Sequence, residues 1–242
     1  MADKDILQTN RRLIDRRLKD GLALLREYYM VQERIIDPAF AKPVVAGRPY
    51  KVRCFDVWDV GNLLLMSASD VDEAQLSSFV IMPYYKNLPL FSSDYVYTGE
   101  QRIMLIEAYD LAVSHDELYD RGIASLAALD EEWDDMPAFA VKPCWYDEIR
   151  PVCIAKAPSH EQDELALWRF RDALDLFIKM ERFAAPLDDA GRARKWELNK
   201  GYSDRLIDEG GVATDRWTAA LGADNVRRFF DEVFFGAAHY AI

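Results

Sequence analysis

Apolar residues recur at three-, four- and seven-residue steps from Leu7 through Ile14, Leu18, Leu22 and Leu25 to Tyr29, with Arg11, Arg12, Arg16, Arg17 and Lys19 between them. This spacing predicts an amphipathic helix with a basic outer face. Asp37-Pro38 interrupts it, and the chain then reads as short runs of β-forming residues at 50–59, 62–69, 75–82, 90–98 and 102–109. The links between these runs are far shorter than the dozen or so residues of a parallel crossover, so an antiparallel meander is predicted.

Alternation within the runs leaves large apolar groups on both faces. Residues 90–98 place Leu90, Ser92, Asp94 and Val96 on one side and Phe91, Ser93, Tyr95 and Tyr97 on the other, so a sheet covered on both faces is expected. Helical spacing returns at 111–129, 161–183, 189–207 and 224–235. The predicted fold class is α/β, a three-layer α/β/α sandwich with a central antiparallel sheet. One domain over 1–242 is expected, with an N-terminal helical region at 1–36 and the sandwich at 37–242. Residues 130–158 carry four prolines with Trp133, Trp145 and Tyr146 and read as a long, ordered aromatic loop.

Composition narrows the function. With 242 residues and about half of them apolar, the chain is long enough to build a core without disulfides or a structural metal. Its net charge of −12 argues against binding nucleic acid, which depends on Lys and Arg displacing condensed counterions, and against an anionic membrane. No apolar run approaches a membrane span, and the first residues lack the order of a signal peptide, so a cytoplasmic, monomeric protein is expected. Cys54, Cys144 and Cys153 lack paired spacing and read as reduced thiols. His115, His160 and His239 are not spaced as a helical metal pair, so no metal site is expected. Dinucleotide, phosphate-loop, nucleophile-elbow and zinc-protease signatures are all absent.

What remains is Asp94, an acid midway along a predicted strand with Leu90, Ser92 and Val96 on its face. Asp is depleted from strands, and burial among apolar groups disfavours the carboxylate, so such a group suits proton donation. A solvent-facing acid, or one paired with Arg102 on the next strand, is the structural alternative. Glu107 and Asp110 raise the same question, and Asp110 also suits a helix cap.

The run Pro83-Tyr-Tyr-Lys-Asn-Leu-Pro-Leu-Phe-Ser-Ser-Asp94-Tyr-Val, followed by Met104-Leu-Ile-Glu-Ala-Tyr-Asp-Leu111, resembles the central strands of the ferredoxin-dependent bilin reductases. The tail from Leu221 to Gly236 resembles that family's final helix. The resemblance implies an α/β/α sandwich and reduction of a biliverdin-type linear tetrapyrrole. Single electrons would come from ferredoxin and protons from the protein, with no flavin, nicotinamide or metal bound. Asp94 takes the position of the family's central proton donor. Ser78 stands where many members carry His or Asn. The second acid of many members falls on Gly211, leaving Asp208 as the nearest replacement. Arg150, Lys142 and Lys156, on the aromatic loop, are candidates for the tetrapyrrole propionates. Two basic clusters, Arg11 to Lys19 and Arg192, Arg194, Lys195 and Lys200, are candidates for an acidic ferredoxin. The rival readings are a non-catalytic bilin carrier and a reductase of another open-chain tetrapyrrole.

Overall fold

The computed structural model describes residues 4–71, 74–98, 101–211 and 214–241. Parts of two predicted connections, residues 72–73 and 99–100, lie outside the described residues. The helix α1 (Lys4–Tyr28) is followed by β1 (Val31–Glu33), α2 (Pro38–Ala41), the short hairpin β2 (Val44–Val45) and β3 (Arg48–Pro49), then β4 (Lys51–Val57), β5 (Gly61–Ala68), β6 (Gln75–Pro83), β7 (Leu90–Tyr97) and β8 (Arg102–Tyr109). The rest comprises α3 (Glu117–Glu132), a 3₁₀ turn at Trp145–Ile149, β9 (Val152–Lys156), α4 (Asp163–Phe183), α5 (Asp189–Asp208), α6 (Thr214–Leu221) and α7 (Ala223–Phe229).

Seven strands form one sheet in the order β1-β4-β5-β6-β7-β8-β9, and each neighbouring pair is antiparallel. The five predicted strands are β4 to β8, paired consecutively as the short connections require. Helices cover both faces, completing the expected sandwich. Against one face, Ile14, Leu25, Leu126, Trp133, Phe170 and Phe177 of α1, α3, α4 and their flanks meet Phe79, Phe91 and Tyr95. Against the other, Phe40, Tyr202, Leu206, Trp217 and Phe229 meet Leu64, Val80 and Leu90. Every residue of β5 is buried, as its run Leu63-Leu-Leu-Met66 demands of a strand packed on both sides.

Several expectations are corrected. The sandwich begins before residue 37: β1 pairs with β4, and α1 packs on β6 and α4. The aromatic loop contains an edge strand, β9, set between Pro151 and Pro158, where proline punctuates the strand without entering it. The third helix begins only at Glu117, capped by the Asp116 side chain accepting from the Tyr119 amide at 2.8 Å. The last helix changes at Phe230 into a π turn, in which the Phe235 amide donates to the Phe230 carbonyl at 2.9 Å.

The basic clusters are corrected as well. Arg17 does not lie on an outer face; it is fully buried. Lys195 is also fully buried, and its amine donates to the Leu88 and Leu111 carbonyls at 2.6 and 2.7 Å. Arg11 and Arg16 face Asp70 and Glu164, and Arg194 and Lys200 face Glu197 and Asp204, so both clusters are thinned by neighbouring acids.

Candidate active site

The register of the sheet assembles one row of side chains on the α5 side: Val52, Met66, Ser78, Asp94, Leu105 and Ala155, one from each of six adjacent strands. At roughly 4.8 Å per strand this row is about 24 Å wide. The next row contributes Ala68, Leu76, Val96 and Ile103. Leu76, Val96, Ile103 and Leu105 are only half-buried, as is Asp94, so β6 to β8 leave apolar side chains partly open around the acid, while Val52, Met66, Ala68 and Ser78 are buried.

Asp94 lies on the internal strand β7, between β6 and β8. Ser78, directly opposite on β6, donates to one carboxyl oxygen, and Ser92, two residues earlier on the same face, donates to the other at 2.9 Å. Each hydroxyl both donates and accepts, so the pair serves the carboxyl in either protonation state and fixes its plane. The alternative pairing with Arg102 is excluded: that side chain is on the opposite face, bonded to Asp163 at 2.7 Å and to Asn10 at 2.8 Å. Asp110 is not a helix cap; it accepts from the Tyr119 hydroxyl and the Ala112 amide.

Glu107 enters the same face as the cross-strand partner of Ser92. Burial raises its proton affinity, the charge of Asp94 raises it further, and Arg150 and the Tyr109 hydroxyl oppose the rise. Arg150 ion-pairs with Glu107 and with Asp147, and the side chains of Arg150 and Glu107 are only 7% and 9% exposed. Tyr109 packs against Tyr146 and Tyr202, with ring centroids 5.7 and 5.3 Å apart. Cys153, next to Glu107 on β9, has its thiol pushed up to about 11 by burial and by the Glu107 charge. Glu107 carries the signal that Asp94 carries, an acid inside a strand, while the tyrosine packing depends on contacts distant in sequence.

A scan of known family models and of curated proteins finds no match to this chain. Among solved structures, the selenomethionine form of phytochromobilin synthase from tomato, in complex with biliverdin, aligns with a TM-score of 0.76 over 94% of this chain and 85% of that chain, at 13% identity. The two proteins share a fold. That fold is the one the run around Asp94 led us to expect, and the phytochromobilin synthase likeness spans nearly all of both sandwiches.

The remaining predicted site residues are scattered. Lys156 belongs to β9 but pairs with Met104 and so points to the face opposite Asp94; it is buried there and bonded to the Asp130 carbonyl and carboxylate, each at 2.9 Å. It is not placed to meet a ligand at Asp94. Lys142 is exposed on the loop before the 3₁₀ turn. Asp208, at the end of α5, is 65% exposed and ion-paired with Arg227 at 2.9 Å. Gly211 lies near Leu206, Thr214 and Tyr146, beside the Gly210 carbonyl that accepts from the Trp145 indole at 2.8 Å. The structure thus brings together Ser78, Asp94 and, through Glu107, Arg150. It does not bring Lys156 to them. Among the described residues, no group of three or more His, Cys, Asp or Glu is placed to hold a metal ion.

Proposed function

We propose that the protein is an oxidoreductase of the bilin reductase type, which binds a linear tetrapyrrole of the biliverdin class against the α5 side of the sheet and reduces it with electrons from ferredoxin. The observation that carries this reading is Asp94 itself, a half-buried carboxyl held by two hydroxyls among half-buried apolar side chains of β6 to β8. The shared fold with a biliverdin-bound synthase supports it. A tetrapyrrole is planar and largely apolar, so it suits such a surface, with polar contact needed only where its nitrogens and lactam oxygens lie.

In this reading Asp94 gives its proton to the pyrrole system as an electron arrives, so that negative charge does not build up in a site of low dielectric. Ser78 and Ser92 hold the carboxyl in place and accept or donate as its protonation changes. Arg150 has both of its carboxylate neighbours already engaged, so it orients Glu107 and contributes to a propionate only if that pair opens. The exposed Lys142 is the freer cation. A second reading, binding of a bilin without turnover, draws support from the engagement of Asp208 with Arg227 and from the glycine at 211.

The test is anaerobic mixing with biliverdin, followed by ferredoxin, its reductase and NADPH. A shifted absorption spectrum that proceeds to a product of shorter conjugation is expected. A shifted spectrum that persists unchanged would favour the carrier, and no shift would remove both readings.

A further inference from the structure

Arg17 is a buried charge in an unusual setting. It sits on α1 between Ile14 and Gly21 with no side-chain exposure. One terminal nitrogen donates to the carbonyl and hydroxyl of Ser93 at 3.2 and 2.9 Å, and the other to the carbonyl and hydroxyl of Ser77 at 2.9 and 2.7 Å. Its Nε has no acceptor among the described residues. The plane lies over the Tyr95 and Phe170 rings, 4.2 and 5.0 Å from their centroids. None of these partners is a carboxylate, and an uncompensated charge in a core is costly.

The position of those partners is informative. Ser77 and Ser93 are the chain neighbours of Ser78 and Asp94, and β6 and β7 pair so that Ser78 faces Asp94. In each Ser-Ser pair, one hydroxyl points to the α1 side and serves Arg17, and the other points to the α5 side and serves Asp94. Arg17 therefore clamps the two strands from behind at the point where they present the acid. Burial works against its charge; Tyr95 and then Tyr97 oppose that effect, and Asp94, across the sheet, opposes it least.

We propose that Arg17 is a positioning residue for Asp94: its guanidinium locks β6 to β7 behind the acid, so that the Ser78 and Ser92 hydroxyls meet the carboxyl in one fixed geometry. The proposal rests on the reading of Asp94 as a proton donor, but the clamp is measurable without a bilin.

Two measurements test it. In the apoprotein, amide hydrogen exchange is followed along the sheet: Arg17→Met is expected to speed exchange about ten-fold in β6 and β7 around residues 77–78 and 93–94 while β4 and β5 keep the wild-type rates, and unchanged exchange there would overturn the proposal, whether or not the protein reduces biliverdin. In the turnover assay, Arg17→Met is expected to lower kcat about ten-fold with the KM for biliverdin within about two-fold of the wild type. Arg17→Lys, which keeps the charge but loses the planar fork, is expected to fall between the two; a wild-type kcat in both variants would overturn the positioning role. If Arg17→Met does not fold, Arg17→Lys decides alone, and wild-type exchange in it would overturn the proposal. Faster exchange in β6 and β7 of a protein that binds but never reduces biliverdin would uphold the clamp and remove the reductase reading.

Discussion

At the scale of single residues, the site is a matter of which hydroxyl or carboxyl occupies which side of a strand. Asp94→Asn keeps the shape and the two serine contacts but has no proton to give, so it is expected to bind biliverdin with a shifted spectrum and to stop at a radical detectable by electron paramagnetic resonance; full turnover would remove Asp94 from its role. Ser78→Ala leaves one carboxyl oxygen without its hydroxyl partner, a loss of about 1 kcal/mol in stability with a fall in turnover. Lys195 provides a residue-scale prediction of another kind. Its amine is fully buried against two carbonyls, and burial pushes it down to about 7, with Asp110 partly opposing the shift. The unfolded chain therefore binds a proton that the folded chain has released between pH 7 and the ordinary lysine range, and stability rises with pH across that interval. The slope reaches at most about 1.4 kcal/mol per pH unit. Urea unfolding between pH 7 and 9 is expected to show this rise in the wild type and a flatter profile in Lys195→Met.

At the scale of elements, α1 and its contact with β6 matter most. The apolar stripe of α1 has gaps at Asn10, Arg17 and Gly21, and each gap is filled by a specific contact. Asn10 accepts from Arg102, Arg17 clamps the strands, and Gly21 lets the helix approach so closely that an added Cβ would lie 2.7 Å from the Phe79 ring and 2.8 Å from the Phe170 ring. Both rings are buried in the core and have little room to yield. Gly21→Ala would gain about 1 kcal/mol in helix propensity but force an overpacked core costing about 1–3 kcal/mol. Denaturant unfolding is expected to show net destabilisation, and a more stable variant would mean that α1 moves freely outward. The gaps were visible in the sequence, since Arg17 stands three residues after Ile14 and four before Gly21, on the apolar stripe itself. Weighing charge above position places Arg17 outside, while the paired serines at 77–78 and 92–93 are the signal that polar groups enter the core there.

At the scale of the whole molecule, the net charge of −12 and the acids beside each basic cluster leave little positive field for an acidic electron donor. If ferredoxin is that donor, its encounter with this protein is slowed by repulsion that salt screens. Turnover at limiting ferredoxin is expected to rise as ionic strength increases from low values; a fall would point to a local basic dock that outweighs the overall charge.

The sequence by itself determined the strands β4 to β8, their antiparallel order and most of the covering helices, α1, α3, α4, α5 and α7 but not α2 or α6, because period-two and period-3.6 patterns and short connections are local properties. It also singled out Asp94, since an acid inside a strand is a local anomaly. Tertiary structure alone decided that β1 and β9 complete the sheet, that Lys156 faces away from Asp94, and that Arg150 is held by Glu107. Those outcomes depend on register and on partners distant along the chain, and a one-residue shift in register moves a side chain to the other face. The same dependence made the inner places of Arg17 and Lys195 invisible to composition. A basic side chain is accommodated inside the protein only where strands and loops distant in sequence bring oxygen atoms to meet its N–H groups, and that meeting exists only in the folded chain.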